Sequence, residues 1–196
     1  MPNWCQNTLH VSGPEKSISL FTANACGKHA SYNFSAPLSQ GKWPVHDHVR
    51  MSALAKDPAP NYGEENDLCL NSLYPVPKDY RRFAFDDNMA RKIGEIIGEK
   101  RDFGGYHWQS TMWGTKWDVR GELTEVHPSY LQYRFDSAWS PPISAFDKIA
   151  KDYPDLTFEL VYHESGMGYA GRSSWSDEDY CEEELDISEF EWDEEE

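Results

Sequence analysis

The sequence predicts an α+β fold in which an antiparallel sheet packs its helices on one face. Polar and apolar residues alternate over several segments, which is the period of a strand with one buried face. Three other segments carry apolar residues at helical spacing. The chain has 196 residues with 39% hydrophobic and 14% aromatic content. This length and composition suffice for one domain with a substantial core.

A strand followed by a helix opens the chain. Residues 7–13 alternate between polar and apolar side chains, so we expect a strand there. Pro14 suits the first turn of a helix, and Gly27 is an expected stop. The apolar stripe of this helix consists of Ile18, Phe21 and Ala25. The opening order is therefore β-α.

Residues 28–112 are predicted to be an insertion. Six prolines interrupt residues 28–85, yet this stretch is too long for a bare loop, so we expect some structure within it. Asn71–Pro77 is predicted to be extended. A helix is predicted after the capping candidates Asp86 and Asp87. Its apolar stripe consists of Met89, Ile93, Ile96 and Ile97.

A tryptophan-rich segment then leads into the next predicted strand, Thr115–Leu123. Polar and mostly apolar residues alternate along it, as in a strand buried on one side. This register turns Trp117 toward the core and Lys116 and Asp118 toward solvent. A turn is expected at Glu125–Pro128.

Three further elements complete the pattern. Residues 131–136 are predicted as a strand, residues 140–153 as a helix with Ser and Pro at its start, and residues 156–163 as a final strand. Without the insertion, the order βαββαβ is that of the ferredoxin-like split unit. Its antiparallel sheet has both helices on one face. The open face is predicted to carry His10, Lys116, Asp118, Arg120, Glu122, Gln132, Arg134 and Glu159.

Charge is distributed unevenly along the chain. The formal net charge is −16, and residues 176–196 contain 13 acidic residues and no Lys or Arg. The remainder, with 21 acidic and 18 basic residues, has no general basic footprint for nucleic acid. We therefore predict one domain over residues 1–172 and an acidic tail over residues 173–196 that is disordered unless bound.

The sequence gives little support for a cofactor, a metal or a membrane span. Gly166–Gly171 spells GxGxxG, but acidic sequence follows it where a dinucleotide site needs a helix. A Gly-rich exit from a strand or a close backbone contact is therefore favoured. His46 and His48 lack a metal-binding framework. The four cysteines form no CxxC motif, and no apolar run approaches the length of a bilayer span. We expect a soluble, reducing, cytoplasmic setting.

Four phrases of the sequence resemble a known family. They are Met1–Asn7, Trp113–Asp118, Phe135–Pro142 and Tyr162–Gly171. Together they resemble the YubB ferredoxin-like family, which includes Api-type proteins of phages and plasmids. The resemblance implies a ferredoxin-like domain up to about residue 171 and a mobile-element origin. It implies no catalytic residues, and the acidic tail is not part of the pattern.

The tryptophans and the cysteine within these phrases have structural and functional interpretations. Core packing is expected for most of the tryptophans, because indoles bury a large area. The alternative is an aromatic binding surface. The four are Trp4, Trp113, Trp117 and Trp139. Cys5 is expected to be buried rather than reactive.

The leading functional hypothesis is a non-enzymatic accessory protein without a cofactor. Its acidic surface and tail would bind a basic host or element-encoded protein, as a nucleic-acid mimic or an inhibitor of host defence, in the host bacterial cytoplasm. Aromatic and aliphatic residues between the acidic ones would anchor the partner. These candidate anchors are Tyr180, Leu185, Ile187, Phe190 and Trp192.

Two other hypotheses stay open. A small-ligand or enzymatic site would be built from polar residues within or beside the four phrases. Its candidates are Asn3, Cys5, Asn7, Lys116, Asp118 and Glu164. Direct binding of nucleic acid by a local basic patch at Lys78, Arg81 and Arg82 is weaker, because the chain is acidic overall.

Overall fold

The computed structural model of the protein describes residues 3–31, 61–77, 105–177 and 179–190, together with Arg91. In chain order the described elements are β1 (Trp4–Ser12), α1 (Glu15–Ala25), β2 (Gly27–Ser31), β3 (Asn61–Asn66), α2 (Leu70–Leu73), α3 (Gly105–Met112), β4 (Glu122–His127), β5 (Tyr130–Ala138), α4 (Ile143–Asp152), β6 (Thr157–Glu164), β7 (Tyr169–Ser176) and β8 (Asp179–Leu185). A 3₁₀ turn follows at Ile187–Glu189.

Six of the described strands form the main sheet in the order β4-β5-β1-β6-β7-β8, with all neighbours antiparallel. The first four strands of this order, with α1 and α4, are the βαββαβ unit. The predicted ferredoxin-like α+β fold is therefore confirmed. The hairpin of β7 and β8 widens the sheet beyond β6, while β2 and β3 form a separate two-stranded sheet.

One face of the sheet carries the core. Alternate residues of β1, β5 and β6 are buried toward the helices, as the period of two requires. Phe21 of α1 packs edge-on against Phe158 of β6 with 5.4 Å between ring centroids, and Phe146 of α4 lies 6.2 Å from the same ring. Aromatic packing of this kind joins both helices to the centre of the sheet.

The predicted strand Thr115–Leu123 is wrong for most of its length. Residues 113–120 are bends and irregular backbone, and the strand runs from Glu122 to His127 instead. Asp118 is buried and Trp117 is 40% exposed, the reverse of the predicted register. Hydrogen bonds from side chains, rather than backbone pairing with a neighbouring strand, hold this segment. Lys116 and Asp118 are therefore not strand residues of the open face, whereas Glu122 and Arg134 pair on it.

The insertion contains more structure than the sequence indicated. Its described residues include β2, β3, α2 and α3, and Asn71–Pro77 begins within the helical turn α2 rather than as an extended segment. The capping candidates Asp86 and Asp87 and the stripe expected after them lie outside the described residues.

The expected disordered tail begins instead as regular structure. Residues 169–176 and 179–185 are strands, so β6 is not the final strand. The pairs Ser176–Asp179 and Ala170–Leu185 mark the two ends of this hairpin. Backbone pairing with β7 satisfies the polar groups along one side of this acidic strand, although composition alone predicts that the segment is solvated.

Candidate functional site

The four phrases identified in the sequence meet at one end of the main sheet. This end is formed by the start of β1, the end of β5 and the hairpin between β6 and β7. The Asn7 amide nitrogen donates to the carbonyl oxygens of Cys5 at 2.7 Å and Phe135 at 3.3 Å, and to the Ser137 hydroxyl at 2.9 Å. The buried Asn7 side chain thus links β1 to β5 through hydrogen bonds.

Cys5 is fully buried beside this amide. Burial raises the pKa of its thiol to about 11, so the thiol is protonated at neutral pH. A nucleophilic cysteine needs a thiolate, which a positive and partly exposed environment favours. The expectation that Cys5 is buried is confirmed, and its surroundings oppose reactivity.

The Gly-rich turn at residues 165–168 is organised by the buried carboxylate of Glu164. The two carboxylate oxygens accept from the backbone N–H groups of Gly166 at 2.9 Å and Met167 at 2.6 Å. Gly168 has φ of 70°, and a Cβ at Gly171 would lie 2.4 Å from the Tyr162 hydroxyl. Turn geometry and close approach therefore explain these glycines, and the strand β7 follows where a dinucleotide site would need a helix.

Residues 113–118 wrap around this end of the sheet. The Trp113 indole is buried and donates to the carbonyl oxygen of Tyr74 at 2.8 Å. The Thr115 hydroxyl donates to the carbonyl oxygen of Ala138 at 3.0 Å. The segment then reaches the opposite face, where the Trp117 ring lies 6.0 Å from the Trp4 ring.

Lys116 lies over two aromatic rings beside Trp4. Its ammonium is 4.6 Å from the ring centroid of Trp117 and 5.6 Å from that of Tyr106. These distances are within the range of cation–π attraction. We call Tyr106 and Trp117 the aromatic notch; both side chains are about 40% exposed.

Trp139 has an unusual backbone for a bulky residue. Its φ is 75°, in the left-handed region that residues other than glycine seldom adopt. Both backbone polar groups hold it there: its N–H donates to Asn3 at 3.0 Å, and its carbonyl accepts from the Tyr169 hydroxyl at 2.9 Å. The result is an indole that is 48% exposed.

Core packing therefore applies to Trp113 alone among the four tryptophans, which corrects the expectation that most of them are buried. Trp4, Trp117 and Trp139 are each at least 40% exposed. Trp4 is exposed because it alternates with the buried Cys5 at the start of β1, which lies before the strand predicted from residue 7. The exposure of Trp117 and Trp139 depends on turns that the sequence pattern did not reveal.

The six candidates for a small-ligand site are separated into different surroundings. Cys5 and Asn7 are buried on β1, Glu164 is buried on the neighbouring strand β6, and Asn3 lies close to Gly166. Lys116 lies at the aromatic notch. Asp118 is buried by α2, where its carboxylate accepts from the backbone N–H groups of Asn71 at 3.2 Å and Val119 at 3.0 Å. The carboxylates of Asp118 and Glu164 thus each stabilise a local turn.

The predicted tail anchors are partly used by the fold itself. Tyr180 packs against Trp175 at 5.5 Å between centroids and is 46% exposed. Leu185 and Ile187 are half-buried. Phe190 stacks on His163 of β6 with 4.6 Å between ring centroids, so the segment after β8 crosses the open face. Trp192 lies outside the described residues.

The acidic side chains of β8 remain exposed. They are Asp179, Glu182, Glu183 and Glu184. Arg172 lies 3.5 Å from Glu183 and 3.6 Å from Glu159. Gln6 of β1 pairs with His163, the residue on which Phe190 stacks. Trp4 lies two residues before Gln6 on the same face. Phe190 and the exposed tryptophans therefore lie at the same end of the sheet.

The remaining candidates from the sequence are metal ligands, a membrane span and a basic patch. No group of His, Cys, Asp and Glu side chains suited to a metal occurs among the described residues. Within the same residues, no helix is long and apolar enough to cross a membrane. His46, His48, Lys78, Arg81 and Arg82 lie outside the described ranges.

The match of residues 112–196 to a family model supports the fold and part of the resemblance. The chain is similar to a crystal structure of a protein api92 from Yersinia pseudotuberculosis, with 12% identity, coverage of 95% of this chain and 98% of that chain, and a TM-score of 0.49. No curated protein matches the chain. The description of the matching family names Api92 and does not name YubB, and the matched range includes the acidic C-terminal segment. Residues 112–196 match the family described as the ferredoxin-like domain in Api92-like protein.

Proposed function

We propose that this protein is a non-enzymatic binding protein whose basic partner docks along β8 and the acidic segment that follows it. It would be encoded by a phage or plasmid and act in the bacterial cytoplasm. Its partner would be a nucleic-acid-binding or defence protein, and the acidic segment would occupy the nucleic-acid site. Such a partner presents the basic groove that an acidic edge complements.

The observation that carries this proposal is the position of the acidic residues on an outer strand. Among the described strands β8 is the outermost beyond β7, and its carboxylates are held at regular spacing instead of on a flexible chain. Successive side chains of a strand point to opposite faces. Glu182 and Glu184 therefore lie on the helix side, while Asp179 and Glu183 lie on the open side. A groove that encloses this edge would meet carboxylates on both walls.

The fold also narrows the set of candidate anchors. Tyr180 is an exposed aromatic within the acidic strand, which suits a contact residue. Phe190 is stacked on His163, so it would have to leave that position to anchor a partner. The contact surface proposed here is therefore β8 with Tyr180, and Phe190 orders the segment beyond it.

The small-ligand alternative receives less support. Asp118 and Glu164 accept backbone N–H groups at turns, and such bonds favour a structural role. Lys116 is directed at aromatic rings. These contacts do not place Asp118, Glu164 and Lys116 together as a catalytic pair of carboxylates with an adjacent lysine.

Neutralisation of β8 tests the proposal. The variant Glu183→Gln/Glu184→Gln removes two negative charges from β8, and Glu122→Gln/Glu125→Gln removes two from β4 at the opposite edge. The pairs are matched, because Glu183 lies 3.5 Å from Arg172 and Glu125 lies 3.2 Å from His127. Proteins captured from a bacterial host lysate would be compared at low and high salt.

We expect the β8 variant to lose a basic protein that the wild type and the β4 variant retain. The wild-type interaction should weaken as salt increases, since exposed charges are screened. Equal retention of all captured proteins by the three forms would contradict the proposal. Unchanged thermal unfolding of both variants would show that the comparison concerns binding.

A further inference from the structure

The aromatic notch at Tyr106 and Trp117 contains a cation supplied by the chain itself. The Lys116 ammonium lies 4.6 Å from one ring centroid and 5.6 Å from the other. The negative face of an aromatic ring attracts a cation at such distances. The notch is thus an environment suited to positive charge, and its two rings are still about 40% exposed with Lys116 in place.

The surroundings of the notch also favour cations. Trp4 extends the aromatic surface beside Trp117. Asp136 lies on the same sheet face, opposite Gln6 and one row from Trp4. The segment from Asp186 to Phe190 crosses that face to reach His163, and it carries further carboxylates. Aromatic faces combined with acidic groups attract cationic side chains and repel phosphates.

We infer that the notch binds an arginine side chain of a basic partner and that Lys116 occupies it in the free protein. Guanidinium is planar and weakly hydrated, so it stacks on aromatic rings more readily than ammonium does. An incoming arginine would displace the Lys116 ammonium into solvent and stack on the Trp117 ring. The inference rests on the proposed function, because a basic partner supplies the arginine.

A change at Lys116 distinguishes this inference from a role for Lys116 in ligand binding. Lys116→Met keeps an unbranched side chain and removes the competing charge. The matched control is Lys148→Met on α4, which changes the net charge equally and also removes a lysine from beside an aromatic ring. Lys148 pairs with Asp152 and lies 6.0 Å from the ring centroid of Tyr74. If Lys116 competes for the notch, its removal should tighten arginine binding more than the control does.

The test measures the affinity of an octa-arginine peptide by calorimetry at low salt, with octa-lysine as a comparison. We expect the affinity of Lys116→Met for octa-arginine to be higher than that of Lys148→Met by a factor of about three or more. Trp117→Leu, which keeps the charge, should bind about three- to thirty-fold more weakly than the wild type. Octa-lysine should show smaller changes. Circular dichroism and thermal unfolding would establish that each variant is folded.

Two results would overturn the inference. One is equal affinity of Lys116→Met and Lys148→Met, or weaker binding by Lys116→Met. The other is unchanged affinity of Trp117→Leu. If the Trp117 variant binds normally while Glu183→Gln/Glu184→Gln binds weakly, the notch fails and the proposed function stands. If the wild type binds octa-arginine no better than a neutral peptide, both fail.

Discussion

Trp139 combines a costly backbone conformation with an exposed indole. Its φ of 75° lies in the left-handed region, where a Cβ approaches the following carbonyl oxygen and raises the energy by about 1–2 kcal/mol. Asn3 and Tyr169 hold the backbone through its N–H and carbonyl groups. Strain of this kind often occurs where a side chain must be presented for function.

Replacement of Trp139 should reveal this strain. Asn tolerates left-handed geometry and Ala does not, while both remove the indole. We expect Trp139→Asn to have a free energy of unfolding about 1 kcal/mol higher than Trp139→Ala. Urea titrations of the two variants measure the difference, and the lost packing cancels between them. A variant pair of equal stability would show that the backbone at this position is relaxed.

Single residues also show where sequence reasoning succeeded. Cys5 was predicted to be buried because free cysteines usually are, and it lies on the core face of β1, which begins at Trp4 rather than at the predicted residue 7. The alternation rule failed at Trp117 and Asp118, because alternation in a sequence does not require a strand. Asp118 caps two backbone N–H groups, and its partner Asn71 is distant in the chain. A single sequence does not reveal such a contact.

Packing of the insertion against the sheet depends on a close contact between the residue before β4 and a residue just before α2. Leu68 and Gly121 form a bridge with hydrogen bonds of 2.9 and 3.2 Å between their backbones. A Cβ at Gly121 would lie 2.5 Å from the Cβ of Leu68, which is fully buried. Neither group can move without separating the two elements.

Gly121→Ala should therefore lower the free energy of unfolding by about 1–3 kcal/mol, the usual cost of overpacking a core. Gly63→Ala in β3 is the control, since its nearest neighbours are atoms of His29 at 3.8 Å. We expect the control to be neutral or slightly stabilising, because Ala reduces the entropy of the unfolded chain. Chemical unfolding measures both. Equal effects of the two substitutions would exclude overpacking as the cause.

The β7–β8 hairpin changes how the acidic segment should be tested. Removal of residues after Trp175 would take away β8 and expose the backbone edge of β7 along with the side chain of Trp175, which packs against Tyr180. A truncated protein would lose stability as well as charge. Composition predicted a separate tail, and it missed the strand because acidic residues have low β propensity. Backbone pairing with β7 outweighs that preference, so side-chain replacements are the sounder test.

Ionisation of buried groups links the stability of the molecule to alkaline pH. Burial raises the pKa of the Cys5 thiol to about 11 and that of the Cys69 thiol to about 12. Burial likewise raises the pKa of Tyr133 and Tyr162 to about 12. The folded protein therefore keeps these protons at a pH where the unfolded chain releases them. Stability is fully present below about pH 9 and is lost as the pH rises through the folded pKa values.

Cys69→Ser should reduce this alkaline loss. The Cys69 thiol donates to the carbonyl oxygen of Gly27 at 3.3 Å, and a serine hydroxyl can keep that bond without ionising in this range. Urea unfolding at steps from about pH 8 to about pH 11 should give a free energy that falls less steeply for the variant, by up to about 1.4 kcal/mol per pH unit. Cys181→Ser removes an exposed thiol and should follow the wild-type slope. Parallel pH curves for all three proteins would show that Cys69 does not couple folding to proton release.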